Sequence, residues 1–446
     1  MATAGITVYI KQGTYNERLI PKNSGTAEAP ISFEAYPGDS VTIEGTGFDF
    51  PVWNGLLDIE GLSYIRIYGL RVTHSPGAGI WARNSSHITI EQNYTFDTFS
   101  SGICAHTCYH VLISGNEVVQ GCTGGDNTSI AIITSDGFQV SNNVVHDGIQ
   151  EGIDAYVGCS NGIISGNEVY NQNASRNPPG IYLDAANGHE FNIDVFDNIS
   201  HDNGHGFAVA SENGGLIEAI KIHHNTAYNN SRGFTVAGWG PVASHPIKNI
   251  EVYGNTSYGN QFGFDIAGFT GTNFDGIKVY NNIIHHNMHT GVEITRYDAP
   301  PGEFVMRSIE IINNTIYGNG TSGGAFEDGG INLFNISPES ILIRNNLISS
   351  NAAYTICVQP EVPSQAVTID YNLIDGFKGA FSETQGVSPV LGDPAFFDAA
   401  GANFHLSAKS AAIDHGSPEN APAVDYDGNP RPQGNGVDIG AFEFTQ

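Results

Sequence analysis

Three observations on this 446-residue chain predict an all-β fold: a single-stranded right-handed parallel β-helix, a solenoid of about 11–13 rungs. The first is a recurring (Ile/Val)-x-x-Asn-x-apolar pattern with its asparagine at positions 93, 116, 143, 167, 198, 225, 255, 282, 314, 346 and 372. The intervals run from 23 residues (Asn93 to Asn116) to 32 (Asn282 to Asn314), a repeat with loops of variable length. The second is a short strand opened by glycine in most units, as in GIWAR from Gly79, GIDAY from Gly152, GIYLD from Gly180 and GVEIT from Gly291. The third is the absence of any window with sustained helical periodicity, in a chain with 55 glycines and only 14% charged residues.

Each unit then reads as three strands. A glycine-led strand comes first, a second strand ends at the asparagine (HITIEQN, IKIHHN), and a third follows it (EVVQ, TAYN). The asparagine has a physical role at this corner. Its amide can hydrogen-bond the asparagines above and below, at a tight turn where left-handed backbone geometry is wanted. Alternation supports the strands: Ile153 and Ala155 face inward while Asp154 and Tyr156 face out. On the second strand Lys221, Glu251 and Lys278 share one outward register and read as a solvated charge ladder on a back face. The histidine pairs His223–His224 and His285–His286 fall at asparagine turns and read as surface turn residues. The five cysteines (Cys104, Cys108, Cys122, Cys159, Cys357) have no zinc spacing and read as small buried hydrophobes.

Composition narrows the function. The net charge of −29 makes nucleic acid an improbable partner, because phosphate binding needs Lys and Arg and there are only 17. A polyanion is also repelled unless cations intervene. No apolar run approaches the roughly 18–20 residues of a membrane span.

Registered on their glycines, the first strands give two outward files. One carries Trp81, Cys104, Asp154, Tyr182, Ala208, Thr235, Asp265 and Glu293; the other carries Arg83, His106, Tyr156, Asp184, Ala210, Ala237, Ala267 and Thr295. Glu212 and Trp239 lie one step further along. With rungs about 4.8 Å apart, Asp154, Asp184 and Glu212 are expected within one or two rungs of each other. Tyr156, Tyr182 and Trp239 flank them as sugar platforms over a floor of alanines. Glycoside hydrolysis uses two carboxyl groups, about 5–5.5 Å apart in retaining enzymes and about 6.5–9.5 Å in inverting ones. Asp184 and Glu212 are the expected pair, with Asp154 a third carboxylate that raises the acid's pKa. Arg83, His106, Asp265 and Glu293 are expected to bind substrate, the last two as subsite or metal residues. Hydrolysis requires no cofactor; Ca2+ is a possible addition at acidic loop mouths. Three insertions, 171–179, 296–307 and 318–330, are expected to shape the cleft.

At these residues the chain resembles a known group. GIYLDA, followed one rung later by SENGG, is similar to the β-helical glycoside hydrolases that include β-xylosidases. In those enzymes a Gly-Ile-x-Leu-Asp strand supplies the nucleophile and a Glu-Asn-x-Gly stretch the acid/base. The resemblance therefore implies Asp184 as nucleophile and Glu212 as acid/base; it departs at Ala185, where an aromatic is usual. Residues 5–48 resemble the opening rungs of bacterial carbohydrate-active β-helix proteins, without the apolar cap that usually precedes them. This implies a cut just upstream and a signal peptide outside the chain. Residues 393–444, with SAAIDHG, DYDGNPRP and VDIGAFE, resemble the C-terminal segment of extracellular bacterial β-helix proteins. The expected organisation is a β-helix over 1–385 and a capping segment over 386–446, in a secreted protein acting on a polysaccharide or oligosaccharide.

Two rival functions share this fold. A calcium-dependent polysaccharide lyase or uronate epimerase abstracts a proton α to a carboxylate with a basic group. Here Arg83, His106, Arg296 or Tyr182 would have to serve, since no lysine falls on the groove register. The other rival is a non-catalytic extracellular solenoid that binds glycan.

Overall fold

Short β-branched runs punctuated by glycine and asparagine produce strands of two to nine residues and no α-helix among the described residues. The computed structural model describes residues 1–445 apart from Asp126, Ala174, Arg176, Pro241, 299–303, Gly324 and Ala325. Parts of the three insertions expected to shape the cleft thus lie outside the described residues. Two compact units divide the chain, Met1–Ala208 and Val209–Gln446. Each is a stretch of parallel β-helix built from the three strand types read in the sequence.

In the first unit the glycine-led sheet contains Gly55–Glu60, Ala78–Arg83, Ile103–His106, Ile130–Ile133, Ile153–Tyr156 and Pro179–Asp184, all parallel. In the second it contains Arg232–Trp239, Phe262–Gly268, Val292–Arg296, Ile331–Phe334 and Ile356–Val358. The strand Ile130–Ile133 is led by Ser129 rather than glycine, so the glycine rule skips it. It inserts Ala131 between Cys104 and Asp154, and Ile133 between His106 and Tyr156.

The asparagine ladder holds each unit's corner. In the first unit Asn93, Asn116, Asn143 and Asn167 each donate an amide hydrogen to the next rung's asparagine, at 2.9–3.0 Å. In the second, Asn225, Asn255, Asn282, Asn314 and Asn346 do the same. The left-handed conformation belongs to the residue before each ladder asparagine, such as Gln92 (φ 54°), Asn142 (φ 55°) or Asn281 (φ 52°), and not to the ladder residue. The reason is geometric: the preceding residue turns the corner, which aims the asparagine inward to bury its amide. A second ladder escaped the sequence pattern. Asn230, Asn260, Asn287, Asn319 and Asn351 link in the same way at the next corner. Outside, aromatic rings stack rung on rung, for example Tyr253 on Tyr280 at 4.8 Å.

All five cysteines are buried, as the sequence led one to expect. His285 departs from expectation. It is buried, stacked at 5.2 Å on Tyr258 and packed on Phe404, and burial pulls its pKa down to about 4.

The C-terminal segment begins on the last rung, where Val390–Leu391 pairs with Leu373–Asp375, and then runs along the flank of the second unit. Asn281, Asn313 and Asn345 donate to its carbonyls at Val424, Asp438 and Ser417. Outward positions that hold threonine at Thr226 and Thr256 become Ile283, Leu347 and Leu373 further on. Leu406, Ala412 and Ile439 of the segment cover Leu347 and Leu373, while Phe404 and Phe442 pack with Ile283. Apolar outward positions therefore decide where the segment docks.

Candidate functional site

The first unit confirms the two outward files of the glycine-led sheet as register neighbours: Asp58–Trp81–Cys104–Ala131–Asp154–Tyr182 and Glu60–Arg83–His106–Ile133–Tyr156–Asp184. The earlier rungs of this face are packed, not open. Trp81, Cys104, Ala131 and Ile133 form a buried cluster, and Trp53 lies edge-on against Trp81 at 5.9 Å. Arg83 is ion-paired to Glu60 at 2.8 Å. His106 sits edge-on to Trp81 at 6.2 Å, and burial pulls its pKa below the usual value. These two residues, expected to bind substrate, are therefore engaged in packing.

At the other end of the files Asp154, Tyr182 and Asp184 come together with Tyr156. Asp154 and Asp184 stand diagonally, one strand and two residues apart, which corresponds to about 8 Å between their backbones. Asp184 is 8% exposed and its Oδ1 accepts the Ala186 N–H at 2.6 Å, which stabilises the ionised form. The Tyr156 hydroxyl donates to Asn127 at 2.9 Å, and its pKa is pushed up by burial and by the charge of Asp154. Tyr182 is buried, so it is not the open platform the alternation suggested. The alanine floor is covered too: Ala208, Ala210 and Ala237 are at most 2% exposed.

A third acid completes this group. Glu190 lies just past the turn that follows Asp184, and is fully buried. The backbone N–H groups of Cys159 and Gly158 face its carboxyl. Burial, then the charge of Asp184, push its pKa well above the usual value, against the pull of those N–H groups. The sequence signal was weak, since a glutamate inside HEFNIDVF falls outside the glycine register.

Glu212 and Trp239 belong to the second unit, each half-buried at the end of a glycine-led strand. The same unit holds a second polar group. Thr235, Asp265, Glu293, Asn332 and Cys357 form one file of register neighbours. Asp265 Oδ2 accepts the Arg232 Nε–H at 2.7 Å and the Tyr297 hydroxyl. Burial pushes the pKa of Asp265 up and the Arg232 charge opposes it. Glu293 is pushed up to about 8 by burial and by Asp265. Arg232 was missed because it precedes its strand's glycine and reaches Asp265 diagonally across a rung. Its guanidinium makes Asp265 a poor cation ligand, which argues against the metal role expected there. No group of three or more His, Cys, Asp or Glu with metal-holding geometry occurs among the described residues.

These sheets and ladders define a right-handed parallel β-helix, and comparison with known proteins agrees. The family model "Right handed beta helix region" matches residues 30–160 and 78–256, together 227 of 446, and the chain belongs to that family. A second model, "Disaggregatase related", matches residues 274–376. The uncharacterized protein YwoF of Bacillus subtilis is 31% identical over 281 residues, 53% of this chain and 58% of its own length. Pectate lyase PEL9 of Emericella nidulans is 34% identical over 113 residues, 23% of this chain and 27% of its own. The chain thus spans less than two thirds of either relative. Among solved structures, XylC in complex with xylose aligns over 100% of this chain and 94% of its own, at 14% identity and a TM-score of 0.50. A tailspike protein of E. coli bacteriophage HK620 aligns over 87% and 71%, at 12% identity and a TM-score of 0.54. At such identities these are likenesses of fold.

Proposed function

We propose that the protein is a carbohydrate-active enzyme that hydrolyses glycosidic bonds in a polysaccharide or oligosaccharide. Asp184 is the nucleophile, Glu212 the acid/base, and Asp154 a third carboxylate. One observation carries the reading: Asp184 stands among carboxyls and tyrosines, with no Lys, Arg or His on its own file or Asp154's file across the strands Ile130–Ile133, Ile153–Tyr156 and Pro179–Asp184. Such a site suits attack by an ionised carboxylate and proton delivery by a neutral one.

In this reading Asp184 attacks the anomeric carbon as a neutral carboxylic acid protonates the departing glycosidic oxygen. That acid, then ionised, takes a proton from the water that releases the sugar. The Ala186 N–H supports the charge on Asp184, and the buried Glu190, its pKa raised, lies close by.

The match to a pectate lyase raises a second chemistry, proton abstraction from a uronate. The basic groups it would call on are committed elsewhere: Arg83 to Glu60, His106 to Trp81, and Arg296 to Asp298 at 2.6 Å. Tyr182 is buried. A panel of neutral and uronic oligosaccharides decides between them, read by new reducing ends and by ultraviolet absorbance of unsaturated products. Hydrolysis of a neutral substrate, lost by about 1,000-fold or more in Asp184→Asn/Glu212→Gln, is the expected result. Unsaturated products would establish the lyase instead. An inactive wild type that still binds glycan would establish a binding solenoid.

A further inference from the structure

The second unit carries a polar well that the proposed hydrolysis does not use. Three register neighbours on three adjacent strands line it: Asp265, Glu293 and Asn332, at most 6% exposed. Asp265 spends one carboxylate oxygen on Arg232 and Tyr297, and among the described residues its Oδ1 has no hydrogen-bond partner. Asn332 is fully buried, and neither its amide nitrogen nor its oxygen has a partner among the described residues. A buried amide left this way forfeits desolvation energy at both ends unless something fills the gap.

At the rim, Tyr297 links this well to an open aromatic surface. Its hydroxyl end reaches Asp265 while its ring packs against Phe269 at 5.4 Å, and both rings are more than a third exposed. Phe269 in turn borders a cavity of about 610 Å³ that also touches Val242, Thr270 and Asp298, a volume in the range of small-ligand pockets.

We propose that Asp265, Glu293 and Asn332, with Tyr297 and Phe269 at the rim, form a second carbohydrate site that takes a neutral sugar by its hydroxyl groups. The file offers an acceptor at Asp265 Oδ1, a carboxyl at Glu293, and both a donor and an acceptor at Asn332, spaced about 4.8 Å apart. A hydroxyl both donates and accepts, so a row of sugar hydroxyls can satisfy all three. A uronate would bury a further charge beside Asp265, and a metal cation meets the Arg232 guanidinium; both are disfavoured. Exposed aromatic rings give the apolar face of a sugar ring its contact. The inference stands whether or not Asp184 cleaves.

The test uses the full chain with Asp184→Asn/Glu212→Gln, so that no probe is consumed. It is titrated calorimetrically with xylotetraose, cellotetraose and tetragalacturonate, and wild-type activity is measured separately. In that background, Asn332→Leu and Phe269→Ala are each expected to reduce by one the number of neutral tetrasaccharides bound, or to weaken that event by at least about tenfold. Asn332→Leu removes polar atoms that have no partner, so its unfolding midpoint in urea is expected to hold or rise. Unchanged stoichiometry and affinity in both variants would overturn the proposal, leaving Asn332 a packing residue. Absence of neutral-sugar binding, or preference for tetragalacturonate, would overturn it too. Failure of hydrolysis shows in the activity assay and leaves this outcome readable.

Discussion

The acids around Asp184 and the acids around Asp265 both occupy outward positions of a glycine-led sheet, yet their surroundings differ. Asp184 has acids and tyrosines beside it, a backbone N–H on one oxygen, and the buried Glu190, with its raised pKa, nearby. Asp265 has a guanidinium at 2.7 Å and a tyrosine hydroxyl on the same oxygen. A carboxylate locked to arginine is committed to structure and recognition, while one set among other acids is placed to share protons with its neighbours. An outward place in the repeat therefore does not by itself fix the chemistry.

Substitutions can break this comparison. The largest effect is expected from Asp184→Asn, with hydrolysis falling about 1,000-fold or more while the urea midpoint changes little, read by reducing-end release. In the second unit Arg232→Met leaves Asp265 buried without its partner. It is expected to lower stability by roughly 3 kcal/mol at neutral pH, measured by urea unfolding, and by less in acid where Asp265 takes up a proton.

Two buried asparagines sharpen the contrast between used and unused polarity. Asn255→Ala breaks bonds to Asn225, Ile222 and Asn282, and is expected to cost about 2 kcal/mol. Asn332→Leu is expected to be neutral or to stabilise by about 1 kcal/mol in the same assay.

A further effect concerns pH. Glu293 holds its proton up to about 8 in the folded chain, against an ordinary 4.5. The folded state therefore binds more protons than the unfolded state between those values, and stability falls as pH rises from about 4.5 to about 8. Glu293→Gln is expected to flatten that slope in urea midpoints measured across the window.

Much of the site was legible before folding was considered, because register follows the repeat. The neighbours of Asp154 and Asp184, and the pairing of Asp265 with Glu293, came from counting from each glycine. Counting failed where glycine was absent, at Ile130–Ile133, and where a side chain reached diagonally, at Arg232. It also missed Glu190, whose burial arises at a turn.

The sequence by itself determined the β-helix, its three strands per rung and its asparagine corner. These depend on contacts between equivalent positions in successive repeats, and such contacts leave a period in the chain. Only the tertiary structure decided which outward faces are covered, that the C-terminal segment runs along the flank, and that Arg232 and Tyr297 converge on Asp265. Those outcomes depend on loops of unequal length folding back over the sheets. Their paths are set by packing between residues with no fixed spacing, so no period records them.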